Sequence, residues 1–137
     1  MSKIVNIKKP EVTKINYGEI YTRKEELELI NKLYIGENKT LESQLKIKIA
    51  GYRQQDLKKR LNLNEIISLE NLTEKLIVSK LKCYYCKCHV CITTKIKRDK
   101  KQWTLDRIDN SKGHNTDNVV IACLECNLKR RCQTQKK

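Results

Sequence analysis

Three Cys-x-x-Cys pairs stand in the last two-fifths of the chain: Cys83/Cys86, Cys88/Cys91 and Cys123/Cys126, with Cys132 left over. Two residues between ligands let one tight turn aim both thiolates at a single ion. Two such pairs separated by an intervening segment make a tetrahedral Cys₄ zinc site. Cys83, Cys86, Cys123 and Cys126 are the expected ligands, because they flank 36 residues that can fold as a hairpin. A set drawing on Cys88 or His89 is the alternative. Otherwise Cys88, Cys91 and Cys132 read as small apolar or surface residues, and His89 as a polar loop residue.

The segment between the pairs holds the other reactive side chains. Trp103, Leu105 and Ile108 suggest a first strand, residues 110–113 (Asn-Ser-Lys-Gly) carry turn chemistry, and Val119, Val120 and Ile121 form a second β-branched run. Residues 123–131 suit a short helix with a basic end. The expected product is a zinc-stapled ββα unit, so the chain as a whole reads as α+β.

The order Cys-x-x-Cys, Leu-Asp-x-Ile-Asp, Gly-His-x-x-x-Asn-Val, Cys-x-x-Cys-Asn over about residues 81–131 resembles the HNH endonuclease family. It is most similar to the zinc-containing members of phages and large DNA viruses, junction-resolving enzymes among them. The resemblance implies that Asp106 ligates a catalytic divalent ion and that Asn127 completes that site from the helix. Asn118 matches the middle Asn that steadies the loop and the base. Oxygen ligands suit Mg²⁺ or Mn²⁺. Outside the resemblance, Asp106 and Asn127 read as turn and helix-cap chemistry. Asp109 reads as a second acidic ligand or a turn residue.

One position departs from the family. The general base is a His directly after the metal-binding Asp, and here that position is Arg107. Arginine stays protonated at physiological pH, so it cannot take a proton, although it can bind a phosphate oxygen. Three readings stay open: His114 supplies the base; a metal-bound hydroxide or a substrate group does the work; or catalysis is lost and the module only binds nucleic acid. His114 also reads as a loop residue hydrogen-bonding beside Gly113.

The rest of the chain must position these groups and meet their partner. With 30 Lys+Arg against 16 Asp+Glu among 137 residues, the formal net charge is +14. Residues 1–60 carry +6, residues 61–80 carry −1 and residues 81–137 carry +9. A polyanion is the expected partner, and nucleic acid the commonest one. Lys95, Lys97, Arg98, Lys100 and Lys101 precede the hairpin, and Lys129, Arg130 and Arg131 follow Asn127; with Arg107 they are the expected contacts to DNA, branched or non-specific duplex. No base-reading module is evident, so binding is expected to be electrostatic and salt-dependent. Tyr84, Tyr85 and Trp103 could stack on bases, but aromatics are only 5% of the chain, which favours core packing.

No apolar run approaches the roughly 20 residues of a membrane span. Residues 1–9 lack a signal-peptide pattern, so a reducing intracellular compartment is expected, and the Lys-, Ile- and Asn-rich composition suits an AT-rich viral genome. Residues 1–21 read as an extended basic arm, 22–80 as a helical region and 81–137 as the zinc-bound, nucleic-acid-binding domain with a basic tail. In the helical region Thr22 and Glu25 form a capping box before Leu27, Ile30, Leu33 and Tyr34. Thr40 opens a second stretch containing Leu41, Leu45, Ile49 and Tyr52, and Ser68 a third with Leu69, Leu72, Leu76 and Ile77. With no His or Cys and its carboxylates mostly on solvated faces, this region is expected to be a helical arm or cap that forms a dimer interface, clamps DNA or docks on another protein, not a catalytic unit.

Overall fold

A computed structural model describes residues 21–92 and 99–135, with side chains described as far as residue 130. The expected extended arm, Lys95, Lys97, Arg98, and the side chains of Arg131 and Cys132 lie outside the described residues. The order is α1 (Arg23–Tyr34), α2 (Lys39–Lys58), α3 (Leu69–Ser79), β1 (Trp103–Arg107), a 3₁₀ turn (Thr116–Asn118), β2 (Val119–Cys123) and α4 (Leu124–Gln135). The fold is therefore α+β, with one two-stranded antiparallel sheet.

Local chemistry sets the helix starts. Thr22 Oγ1 accepts the Glu25 N–H at 3.1 Å while the Glu25 carboxylate accepts the Thr22 N–H at 2.8 Å, the expected capping box. Ser68 caps α3 through the Asn71 N–H. The cap of α2 is Asn38, whose side-chain oxygen accepts the Leu41 N–H, so this helix begins before the expected Thr40. Asn leads the ranking at such positions because its short amide reaches the free N–H groups of the first turn.

The apolar faces of the three helices converge on the sheet. Ile30, Leu45, Leu72, Leu76, Leu81, Val90, Trp103, Leu105, Val119 and Ile121 belong to one buried cluster. Each fully buried Leu or Ile side chain contributes about 1.5–3 kcal/mol. Trp103 is thus a core residue, as its rarity suggested. β1 and β2 pair from Trp103↔Cys123 to Arg107↔Val119, and the Tyr52 hydroxyl accepts the Leu105 N–H at 3.1 Å. Tyr52 of α2 thereby satisfies one N–H on the outer edge of β1, and the Cys91 carbonyl accepts the Trp103 N–H on the same edge. The first strand stops one residue short of expectation: Ile108 is exposed and its N–H bonds the Asn118 carbonyl. Among the described residues no helix is long and apolar enough to cross a membrane.

Candidate metal centre and adjoining cavity

After α3 the backbone enters the left-handed region at Lys80 and Leu81, which swings the chain into a tight hairpin. There the Val90 N–H bonds the Leu81 carbonyl, the Cys83 N–H bonds the Cys88 carbonyl, and the Lys87 N–H bonds the Cys83 carbonyl. Lys87 is also left-handed (φ 67°), which closes the turn behind Cys86. The Tyr84 N–H bonds the Ile121 carbonyl at 2.8 Å, tying this hairpin to β2. Cys123 ends β2 and Cys126 lies in the first turn of α4, where its N–H reaches Cys123 Sγ at 3.4 Å.

The sulfurs of Cys83, Cys86, Cys123 and Cys126 all lie within 4.8 Å of one another, with Cys86 and Cys123 at 4.0 Å. Four thiolates at about 2.3 Å from a tetrahedral zinc are about 3.8 Å apart. The four-sulfur set therefore fits a structural metal such as zinc. The Cys88 backbone holds the Cys86 thiol down at about 7, whereas burial pushes the Cys123 and Cys126 thiols up. The alternative set is not assembled: the His89 ring turns to Glu26, Cys88 is exposed and Cys91 is buried outside the cluster.

Beside this centre a cavity of about 540 Å³ opens between α2, β1, the loop before β2 and α4. Asp106, Arg107, His114 and Asn127 all line it, together with Tyr52 and Lys58 of α2 and Lys59 at its C-cap. Four of the five expected catalytic residues thus share one recess. The fifth, Asn118, stands behind the loop. Its amide donates to the carbonyls of Asp109 and Gly113 at 3.0 and 2.9 Å, and its oxygen accepts the Asp109 N–H. These bonds tie Asn118 to both ends of the loop that runs from Asp109 to Gly113. Asp109 is engaged with Ser111 as a turn residue and does not line the cavity.

Several side chains have partners that the sequence did not announce. Asn127 donates its amide N–H to Thr104 Oγ1 at 3.0 Å, leaving its carbonyl oxygen for the cavity. Asp106 is buried, and Arg130 Nη1 donates to its Oδ2 at 2.6 Å, to the Tyr85 hydroxyl at 2.7 Å and to the Arg107 carbonyl at 3.1 Å. Arg130, expected on DNA, instead neutralises Asp106. Arg107 donates to the carbonyls of Asn110 and Lys112, bracing the loop with its guanidinium. Lys100, Lys101 and Lys129 are exposed but outside the cavity, whereas Lys58 and Lys59 line it. Asp106 and Asn127 both bring oxygen atoms to the cavity lining, and Arg130 holds one oxygen of the Asp106 carboxylate.

Residues 22–80 keep most of their carboxylates on solvated faces, as expected, with two exceptions. Two of their carboxylates are fully buried and each holds a histidine. Glu26 accepts from His89 Nε2 at 2.6 Å and from the Ile92 N–H at 3.1 Å. Asp56 accepts the His114 N–H and His114 Nδ1, both at 2.7 Å. A sequence signal existed: Asp56 continues the stripe Leu41, Leu45, Ile49, Tyr52, and Glu26 precedes Ile30 and Leu33 on theirs. A carboxylate on an apolar helical face is buried only when it is paired.

Gly113 is the residue that admits Asp56. A Cβ there would stand 2.6 Å from Asp56 Oδ2 and 3.1 Å from its Cγ. That carboxylate is held by two hydrogen bonds and cannot retreat without losing them. Gly113→Ala is therefore expected to lower stability by about 1–3 kcal/mol, read as a denaturant midpoint. An unchanged midpoint would mean the contact is not rigid.

Comparison with protein-family models, with curated proteins and with solved structures finds no match for this chain.

Proposed function

We propose that this chain is a zinc-stabilised, metal-dependent DNA phosphodiesterase of the HNH type. The observation that carries the reading is the common cavity: Asp106 and Asn127 offer oxygen ligands, His114 offers an imidazole, and Lys58 and Lys59 offer cations at one concave, electropositive place. A Mg²⁺ or Mn²⁺ ion there would polarise the scissile phosphate and stabilise the leaving 3′ oxygen. Asp106 and Asn127 hold that position from β1 and α4. Arg107 keeps its charge and braces the loop, so His114 is the base. Burial outweighs the pull of Asp56, and Arg107 and Lys59 add to it, so the His114 imidazole is held below its ordinary value. It is then neutral and able to accept a proton at pH 7.

The net charge of +14 gives attraction to the phosphodiester backbone without base reading. One observation favours the second reading, a DNA-binding protein without catalysis: the Arg130–Asp106 pair occupies the carboxylate that the ion needs. A single assay separates the two. Purified zinc-loaded protein is incubated with plasmid and branched DNA in Mg²⁺, Mn²⁺ or EDTA across pH 6–9. Nicking that needs the divalent ion is expected. Binding without nicking in every condition would leave the second reading.

A further inference from the structure

Behind the cavity wall, the His114 imidazole that lines it is paired with a buried carboxylate from the opposite half of the chain. Asp56 is fully buried in the last turn of α2, and both its oxygens are spent on one residue: Oδ2 on the His114 backbone N–H and Oδ1 on its ring Nδ1, each at 2.7 Å. With Oδ2 already accepting the backbone N–H, a carboxylate oxygen facing Nδ1 favours a proton on that ring nitrogen. Tyr52, one turn earlier on the same helix, stacks on the ring with centroids 4.5 Å apart. The ring is thus clamped in rotation and in tautomer, and Nε2 is the nitrogen left for the cavity that the ring lines.

We propose that Asp56 is a positioning residue that locks His114 as the Nδ1–H tautomer and presents the Nε2 lone pair to water beside Asp106 and Asn127. The proposal rests on the phosphodiesterase reading for the fate of the proton, but not for the tautomer. In that reaction water gives a proton to Nε2 while its oxygen bonds to phosphorus. The bond from phosphorus to O3′ breaks, and the departing oxygen takes a proton from solvent. The same orienting logic governs carboxylate–histidine pairs in hydrolases, where an amide in place of the carboxylate turns the ring to the wrong tautomer. The geometry also explains why a helix that carries no cysteine or histidine is packed against the metal module.

The test is Asp56→Asn in the full, zinc-loaded chain, read in two ways. Nitrogen-15 NMR of the histidine rings reports which nitrogen is protonated. Wild type is expected as Nδ1–H and the variant, whose amide donates to Nδ1, as Nε2–H. Cleavage is expected to fall about 10⁴-fold, with zinc content, melting temperature and DNA affinity retained. A wild-type ring protonated on Nε2 would overturn the proposal, and that spectrum needs no variant to fold. So would a variant that switches tautomer yet cleaves normally. If wild type shows the Nδ1–H form but no DNA is cut under any condition, the phosphodiesterase reading fails while the lock on the ring stands.

Discussion

Replacing Cys126 by Ser releases the metal and melts the region around it. Cys126 is one of four thiols within 4.8 Å, and without it an ion keeps three thiolates and an open fourth position, which weakens its hold. Structural zinc contributes on the order of 10–16 kcal/mol of apparent binding free energy in small zinc modules. Whole domains are stable by only about 5–15 kcal/mol. Cys83 and Cys123 are also members of the hydrophobic cluster, so losing the ion loosens Leu81, Val90 and Trp103. The expected result is loss of stoichiometric zinc and a large fall in melting temperature for Cys83→Ser and Cys126→Ser, with chelators doing the same to wild type. Cys88→Ser, outside the cluster, keeps its zinc. Unchanged metal content in Cys126→Ser would sink the four-cysteine assignment.

Asp106→Ala abolishes cleavage while DNA binding survives. Asp106 supplies the charged oxygen of the Asp106–Asn127 pair, and the loss of electrostatic stabilisation by a bound ion is worth several kcal/mol, about 10²–10³-fold in rate. Removing a negative charge from an electropositive recess does not weaken attraction to a phosphate backbone. The same change strands Arg130, whose side chain is 31% exposed and can turn to solvent, so stability changes little. Cleavage assayed beside a binding isotherm and a melt separates these effects. Wild-type rates in Asp106→Ala would remove the divalent ion from the mechanism.

The local parts of this molecule were legible in its sequence, and the long-range pairings were not. The Cys-x-x-Cys spacing is read within four residues, and the hairpin expected between the first and third pairs pointed to the four-cysteine set that the structure brings together. The Thr22–Glu25 box, the loop after β1 and the bracing role of Asn118 are also short-range. By contrast Asp56 meets His114 across 58 residues and Glu26 meets His89 across 63. No periodicity specifies which histidine a buried carboxylate finds. The sequence could show only that both acids lie on apolar stripes. Arg130 was misjudged for a similar reason. Its place in a basic run suggested solvent and phosphate, but one helical turn beyond Asn127 it faces Asp106 and Tyr85.

The span of the Asp56–His114 contact sets an order of events in the life of the chain. Contacts between residues far apart in sequence form late, because the intervening loop must close first. α2 leaves the ribosome well before the loop carrying His114, and that loop before Cys123 and Cys126. On the proposed reading a half-made or half-folded chain has no oriented base. Hydrolytic competence then arrives only once α4 has been made and has packed against β1, so that on this reading an incomplete chain does not cut the DNA it is proposed to bind.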